Sequence, residues 1–464
     1  MQYWKSKWLK WLLLAVAGIL LALVGYGLLQ LIEPIAVAPV ANTVPQTQAS
    51  AVPEFEGQAL LVASDADMVA TAYGDGNLDR VPGIEDALTI VGLPLNPEQP
   101  DVTSLQVSNS VMSWPQIIAV SPNGQRAYVA EVRSRPADNI QAFDDIDQMP
   151  EGANITVVDI ANLQRPQVIE TVDVGRNPEH LSISPDGQFL AINLNEPGRE
   201  LLIVQLEDDG RLGQRFYFPM QLDGSREDNQ TAIWHPSGQY LAIIQDNNCR
   251  LGFYQIQTTG QEITVSLMSE PLTLGNHLSN PRFTADGRFL LVPDLKWSTH
   301  RNPSLNFLLN PNGEMIAVQF DPESGTAPEV VSRIEVGLSP EGFALSPDNS
   351  LIATVNMRRT YLPSFIPAWR GKPYSSLSSV QFDPTSGALT KVKEYGFEGL
   401  LPEQVAFDAS GNALAVVIYN YREPSPETGA VEFWTVVAGD SPRLERSGYT
   451  LDVIRGAHDI VLLP

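Results

Sequence analysis

One short hairpin motif recurs along this chain, and the recurrence sets what the chain can fold into. Its clearest copy is residues 177–194, NPEHLSISPDGQFLAINL. Leu181 and Ile183 alternate with Ser182 and Ser184, the period-2 pattern of a strand. Ser184-Pro185-Asp186-Gly187 then reads as a tight turn, because proline pre-sets φ at the first central position and glycine takes the left-handed geometry at the end. A second strand follows, Phe189 to Asn193.

The unit returns as IIAVSPNGQRAYVAEV (117–132), TAIWHPSGQYLAII (231–244), PRFTADGRFLLV (281–292), GFALSPDNSLIATV (342–355) and QVAFDASGNALAVV (404–417). Turn to turn, the copies stand 49 to 63 residues apart. A period near this length points to a β-propeller with one four-stranded blade per repeat. The two ends supply a further copy. GAHDIVLLP (456–464) is an inner strand that stops at the proline of its turn, and EGQALLVAS (56–64) begins with the glycine of such a turn. Joined in space, Pro464 and Gly57 complete a seventh hairpin, with residues 58–108 forming the other three strands of the last blade. The expected fold is therefore all-β, a seven-bladed propeller over 56–464 closed by its own termini. Closure matters because an open ring exposes two unpaired strand edges.

A different pattern precedes the propeller. Residues 1–10 hold Lys5, Lys7 and Lys10 and no acid, and read as a short basic tail in the cytoplasm. Trp11 to Ile32 is a nearly unbroken apolar run of 22 residues. As a helix it reaches about 33 Å, enough to cross a bilayer. It exceeds the apolar core of a cleavable signal peptide. The small residues Ala36-Val37-Ala38 are followed by Pro39, a poor cleavage context, so the run is expected to stay as a transmembrane signal anchor. Lysines before it and none just after it place the N-terminus inside and the propeller on the extracytoplasmic, periplasmic side. Residues 33–55, with Pro34, Pro39, Pro45 and Pro53, read as a semi-extended linker.

Charge narrows the partners. Without the three lysines of the tail, 54 acids face 26 bases, a formal charge of −28. Nucleic acid is excluded as a partner on that balance, since phosphate contacts need cations. No cofactor is expected, and a divalent cation or a basic partner is the chemistry such an acid excess would accommodate. Cys249 is the only cysteine, so no disulfide can form within the chain.

The long connections between second and third strands, 133–153, 294–313 and 357–375, are expected on one face, here called upper. Long loops on a rigid scaffold are where function collects. NMRRTYLPSFIPAWRGKPYSS (356–376) carries Arg358, Arg359, Arg370 and Lys372 with Tyr361, Trp369 and Tyr374, and no acid. Its neighbour adds Trp297, His300 and Arg301. Arginine among aromatics is the composition of an interface anchor or an anion site. The loop at 133–153 is acidic instead. A second set of candidates stands where inner strands begin: Gln116, Glu179, Gln230, Glu341, Glu403 and His458 share one register. Seven-fold placement gathers them at the channel mouth, where carboxylates raise one another's pKa or invite a cation. The alternative is that they only accept hydrogen bonds from the adjoining blade.

VGRNPEHLSISPDGQFLAINLN and VGLSPEGFALSPDNSLIATVN resemble the YVTN-type repeat. VQFDPESGTAPEV (318–330) and VQFDPTSGALTKV (380–392) resemble the FDP-x-SG-x-LT hairpin of the seven-bladed lactonase family, the 6-phosphogluconolactonase-like propellers. The resemblance covers roughly 57–464. It implies a propeller and, for activity, a lactone hydrolase with His180 and Glu196 as its acid–base pair. The family's G-P-R-H element corresponds to Asn177-Pro178-Glu179-His180, and its N-E pair to Asn195-Glu196. His180, Asn195 and Glu196 match, while Glu179 stands where the family has a phosphate-binding arginine.

Other catalytic motifs are missing. The histidines at 180, 235, 277, 300 and 458 lack zinc-ligand spacing, and no metal site is expected from them. No G-x-S-x-G, H-E-x-x-H or P-loop occurs. Asp75, Asn77, Asp79 and Asp86 are spaced like a calcium loop, but Arg80 stands where that loop needs glycine. This stretch reads as an insertion in the last blade, running to about residue 100. The sequence thus favours a membrane-anchored propeller that binds a ligand or protein partner on its upper face, with a lactonase-like hydrolase as the alternative.

Overall fold

The computed structural model describes residues 15–25, 35–38, 52–220, 231–245, 249–260, 262–297, 309–363, 374–421, 427–439 and 441–464. They build seven antiparallel sheets arranged as the blades of one propeller. Blade 1 runs from its inner strand Ile118–Val120 to its outer strand Gln167–Asp173, and blade 2 from Pro178–Ile183 to Leu212–Phe218. Blade 3 runs from Thr231–Trp234 to Glu262–Leu267, with Leu272–Thr273 added beside its third strand. Blade 4 runs from Arg282–Phe283 to Glu329–Glu335, blade 5 from Pro340–Leu345 to Leu389–Phe397, and blade 6 from Val405–Phe407 to Arg443–Ile454.

Blade 7 is shared between the two ends of the propeller. Ala457–Leu463 lies innermost, followed by Ala59–Ser64, Ala87–Gly92 and Val102–Gln106. Ala59 pairs with Leu463 and Ala63 with Asp459. The Gln58 amide donates to the Leu463 carbonyl at 2.8 Å, and its side-chain amide to the Pro464 carbonyl at 2.6 Å. Gly57 has φ of +152° at the expected join, and a side chain there would run into Leu462 and Leu463.

Local chemistry explains why the hairpins form where the motif recurs. The Ser184 hydroxyl donates to Asp186 at 2.6 Å and accepts from the Phe189 amide at 2.9 Å. Gly187 closes the turn at φ +70°. Ser346 with Asp348, Thr284 with Asp286 and Ser410 with Asp408 repeat the short hydroxyl–carboxylate pair at 2.5 to 2.6 Å. Such side-chain locks satisfy backbone donors that the turn leaves over. His235 takes the serine's place in blade 3. Its Nδ1 accepts from the Ser237 amide at 3.1 Å, and its Nε2 lies 3.1 Å from the Gly287 carbonyl of the next blade.

The second strands are largely apolar on both faces, as in Leu190–Ile192 and Leu414–Ile418, because each is covered by the two neighbouring blades. Apolar clusters accordingly span blade boundaries; one joins residues of blades 7, 1 and 2.

Two expectations need correction. The insertion in blade 7 occupies 65–86 and does not reach residue 100, because Ala87–Gly92 and Val102–Gln106 are needed as the blade's outer strands. The linker is not uniformly loose. Residues 36–38 add to the outer strand of blade 5, with Ala38 donating to the Gly396 carbonyl at 2.8 Å and Gly396 to the Ala36 carbonyl at 2.9 Å. Phe55 is buried edge-on against Phe433 of blade 6. Of the apolar run 11–32, residues 15–25 are described and helical. No helix among the described residues is long and apolar enough to cross a membrane.

Candidate functional site

The upper ends of the inner strands are built from bent backbone. Asn177, Ser339 and Leu401 each take φ between +44° and +54° immediately before a proline, and Gln116 takes +143°. Left-handed geometry is costly for residues with a side chain, and such strain gathers where a structure over-determines it. Here it leads directly into Pro178-Glu179, Pro340-Glu341 and Pro402-Glu403, whose glutamates are all buried. Gln116 is half-buried, His458 is the second residue of the inner strand of blade 7, and Gln230 lies outside the described residues.

The gathered groups are buried rather than washed by a channel. Glu179, Glu341, Glu403 and His458 are 8%, 4%, 2% and 1% exposed. Burial pushes Glu341 up to about 8, and burial together with Glu341 and Asp65 pushes Glu403 well above the carboxylate range. Burial also lowers His458 to about 3. The His458 Nε2 lies 2.9 Å from the Asn109 side-chain oxygen, so Nε2 carries the proton and Nδ1 faces a Glu403 oxygen at 3.9 Å. Glu341 thus raises Glu403 as the shared register leads one to expect, whereas Glu341 itself is raised by burial, and Glu341, Glu403 and His458 are all held in their neutral forms near pH 7.

The next register down ties blades together. Asp459 accepts from the Ile118 amide of blade 1 at 3.0 Å and from its own neighbour Ile460 at 2.9 Å, and burial holds it at about 6. Ser113 and Ser279 donate to the Glu179 and Glu341 carbonyls, the latter at 2.6 Å. Asp459 thus serves the adjoining blade through its side chain, whereas Glu179 and Glu341 do so through their backbone carbonyls, and the Glu179 Oε1 accepts from Asn195 of its own blade at 3.4 Å.

A lid that the repeat pattern does not announce covers this level. The blade 7 insertion, 65–86, pairs Asn77 with Ala142 of the blade 1 loop, and the Leu78 amide donates to Gln141. Gly74 sits so close to Pro363 of the blade 5 loop that a Cβ would fall 2.5 Å from it. Met68, Ala72, Leu78, Trp114, Tyr361 and Tyr419 form part of the apolar cluster beneath. The Tyr73 hydroxyl donates to the Val111 carbonyl at 3.0 Å, and its ionisation is opposed by burial, Glu403 and Glu341. Tyr419 donates to the Asp65 and Met68 carbonyls, each at 3.0 Å. Arg455, 1% exposed, donates to the carbonyls of Met68, Leu78 and Asp79.

Asp65, Asp67 and Asp86 place ligand atoms within 4.8 Å of one another under the lid, the only such group of potential metal ligands among the described residues. Asp86, from the calcium-like spacing, is thus brought to Asp65 and Asp67 and not to Asp75 or Asp79. Their oxygens already accept from the amides of Ala66, Asp67, Asn109 and Val111, and Asp67 pairs with Arg135 at 3.0 Å and Arg80 at 3.6 Å. Sequence reasoning missed Asp65, Tyr73, Tyr419 and Arg455, because none of them lies in a repeated position.

The lactonase-like pair is held differently from what its chemistry asks. His180 is fully buried, and burial lowers it to about 3, with Arg282 adding to the effect and the Ala232 backbone opposing it. Glu196 is half-buried; it accepts from the Arg176 amide at 3.2 Å and pairs with Arg199 at 2.8 Å. Arg199 in turn stacks 3.7 Å over Tyr217. No hydrogen bond joins His180 to Glu196 among the described residues. Of the basic and aromatic patch, Arg359 is buried, Arg358 half-buried, and Trp297 stacks on His277 while donating to Ser339 at 3.0 Å. Trp369, Arg370, Lys372 and Arg301 lie outside the described residues.

No protein-family model matches the chain, and no curated protein matches it. Solved structures do. A Bacteroides fragilis protein named as a proposed 6-phosphogluconolactonase aligns over 91% of this chain and 100% of its own, with 14% identity and a TM-score of 0.58. The periplasmic gluconolactonase of Pseudomonas aeruginosa aligns over 88% and 99%, with 16% identity and a TM-score of 0.57. A Bacteroides uniformis protein named like the first gives 88% and 99%, 14% and 0.56. At such identities the likeness is one of fold: the chain is a seven-bladed β-propeller, similar in architecture to these three proteins.

Proposed function

We propose that this protein is a membrane-tethered, extracytoplasmic propeller that binds a ligand or protein partner on its upper face and performs no chemistry at its axis. One observation carries the reading. Glu341, Glu403 and His458 are buried and held in their neutral forms, with Tyr73 of the chain's own 65–86 segment against the two glutamates, where general acid–base catalysis would need reach to a substrate. The tether is supported by the 15–25 helix, on which Val16, Ile19, Leu20, Leu21, Leu23 and Val24 all stand exposed. Apolar side chains that point outward on all sides suit lipid better than water.

The binding surface in this reading is the rim formed by 294–303 and 356–376. Trp369, Arg370, Lys372 and Arg301 would supply contacts, on a base packed through Trp297, Tyr361 and Arg359. The partner chemistry that suits it is anionic.

The second reading is lactone hydrolysis, favoured by the match of His180, Asn195 and Glu196 to the lactonase pattern and by the names of the structural neighbours. The test that separates the two is hydrolysis of glucono-lactone by the full chain in detergent. The binding reading expects the spontaneous rate and no difference with His180→Ala. Turnover abolished by that substitution would reverse the assignment.

A further inference from the structure

Blade 5 is unlike the other blades at its outer edge. Residues 36–38 continue its sheet as a parallel strand, held by the two hydrogen bonds to Gly396, and Ala38 is 4% exposed. The helix at 15–25 ends ten peptide steps before residue 35, so chain geometry holds that edge within about 35 Å of the helix end. Charge marks the same edge. The chain has seven lysines, three of them in the first ten residues. Among the described residues, Lys391 and Lys393, on the outer strand Leu389–Phe397, are the two lysines that lie in strands. Lys393 is exposed and reaches 5.0 Å from the Tyr395 ring, and Lys391 stands 3.8 Å from Glu394. The outer strand of blade 2 also has a net positive charge, but its Arg215 donates to the Asp173 carbonyl at 2.7 Å, and among the described residues no linker segment pairs with it.

We infer that the outer edge of blade 5 is the side of the propeller that faces the bilayer, clamped there by residues 36–38 and met by anionic lipid headgroups. The inference rests on the tether proposed above and adds an orientation to it. A domain of charge −28 is repelled by an anionic surface over most of its area, so the approach that places Lys391 and Lys393 against the headgroups is the favoured one. The strand addition turns a linker that could swivel into one that selects this approach.

The test uses the full chain with Cys249→Ser, labelled with a donor dye at Thr390→Cys in blade 5 or at Gln214→Cys in blade 2. Both positions are exposed on outer strands. The protein is reconstituted into phosphatidylcholine vesicles, with or without phosphatidylglycerol, that carry an acceptor-labelled headgroup. Energy transfer from position 390 should exceed that from 214 several-fold in anionic vesicles. It should fall toward the 214 value with Lys391→Glu plus Lys393→Glu, and with Ala38→Pro, which removes the amide that bonds Gly396. Equal transfer from the two positions in protein that floats with the vesicles overturns the orientation and leaves the tether standing. Protein that fails to float overturns both. Equal preference for position 390 in neutral and anionic vesicles overturns the headgroup contact.

Discussion

Glu341 and His458 make opposite demands on pH. The fold favours the protonated form of Glu341, so its contribution is complete below the ordinary value of 4.5 and is lost as pH climbs to about 8. Asp67, raised to about 7 by burial and by Asp65, acts in the same sense. The fold favours the neutral form of His458, His180 and His277, so their contribution is complete above 6.5 and is lost as pH falls toward 3 to 4. Stability should therefore be greatest between about pH 4.5 and 6.5 and decline on both sides, each fully linked group adding up to about 1.4 kcal/mol per pH unit. Urea unfolding at pH 4, 5.5 and 8 checks this. Glu341→Gln should remove part of the alkaline decline and leave the acid limb unchanged. At this scale the sequence was readable where a register repeats: Glu341 acts on Glu403, and His458 lies 3.9 Å from Glu403. Their burial was not readable, because it depends on a lid contributed by a segment with no repeat. The roles of His180 and Glu196 could not be read from pattern alone, since partners such as Arg199 and the Ala232 backbone are set by packing.

The 65–86 segment shows how much an element outside the repeat decides. It has one short helix, Ala72–Asp75, and is otherwise held by side chains reaching up from blade 6 and the strand junction after it, chiefly Tyr419 and Arg455. Tyr419→Phe removes the donor to Asp65 and Met68 at a cost of about 1–2 kcal/mol. Limited proteolysis of that variant should cut first within 65–86 while the blades stay intact. The hairpin turns, by contrast, are autonomous. Ser184→Ala deletes the lock on Asp186 and the Phe189 amide and should cost about 1 kcal/mol, visible as a lower urea midpoint with an unchanged slope. This contrast explains what the sequence disclosed. Turns carry their chemistry within five residues, so six were legible directly. Two of the lid's main side-chain partners, Tyr419 and Arg455, lie more than 300 residues away. The docking of 36–38 was invisible for a related reason: strand addition uses backbone groups, and Ala-Val-Ala has no side chain that announces it.

For the whole molecule, everything depends on Ala457–Leu463 pairing with Ala59–Ser64. The closure was legible because each end holds half of a recognisable hairpin. Removing residues 457–464 should leave unpaired edges on blade 7 and in the channel, and the chain should then elute as aggregate in size-exclusion chromatography rather than as a monomer. Ala59–Ser64, the other side of this seam, follows directly from the linker, so a pull on the amino-terminal segment would load the seam first if nothing intervened. Ala36 and Ala38 intervene: their bonds to Gly396 put blade 5 in line ahead of blade 7. Mechanical tension would then be taken up by a sacrificial grip, which can slip and re-form, and the seam that holds the ring shut would feel force only after that grip had let go.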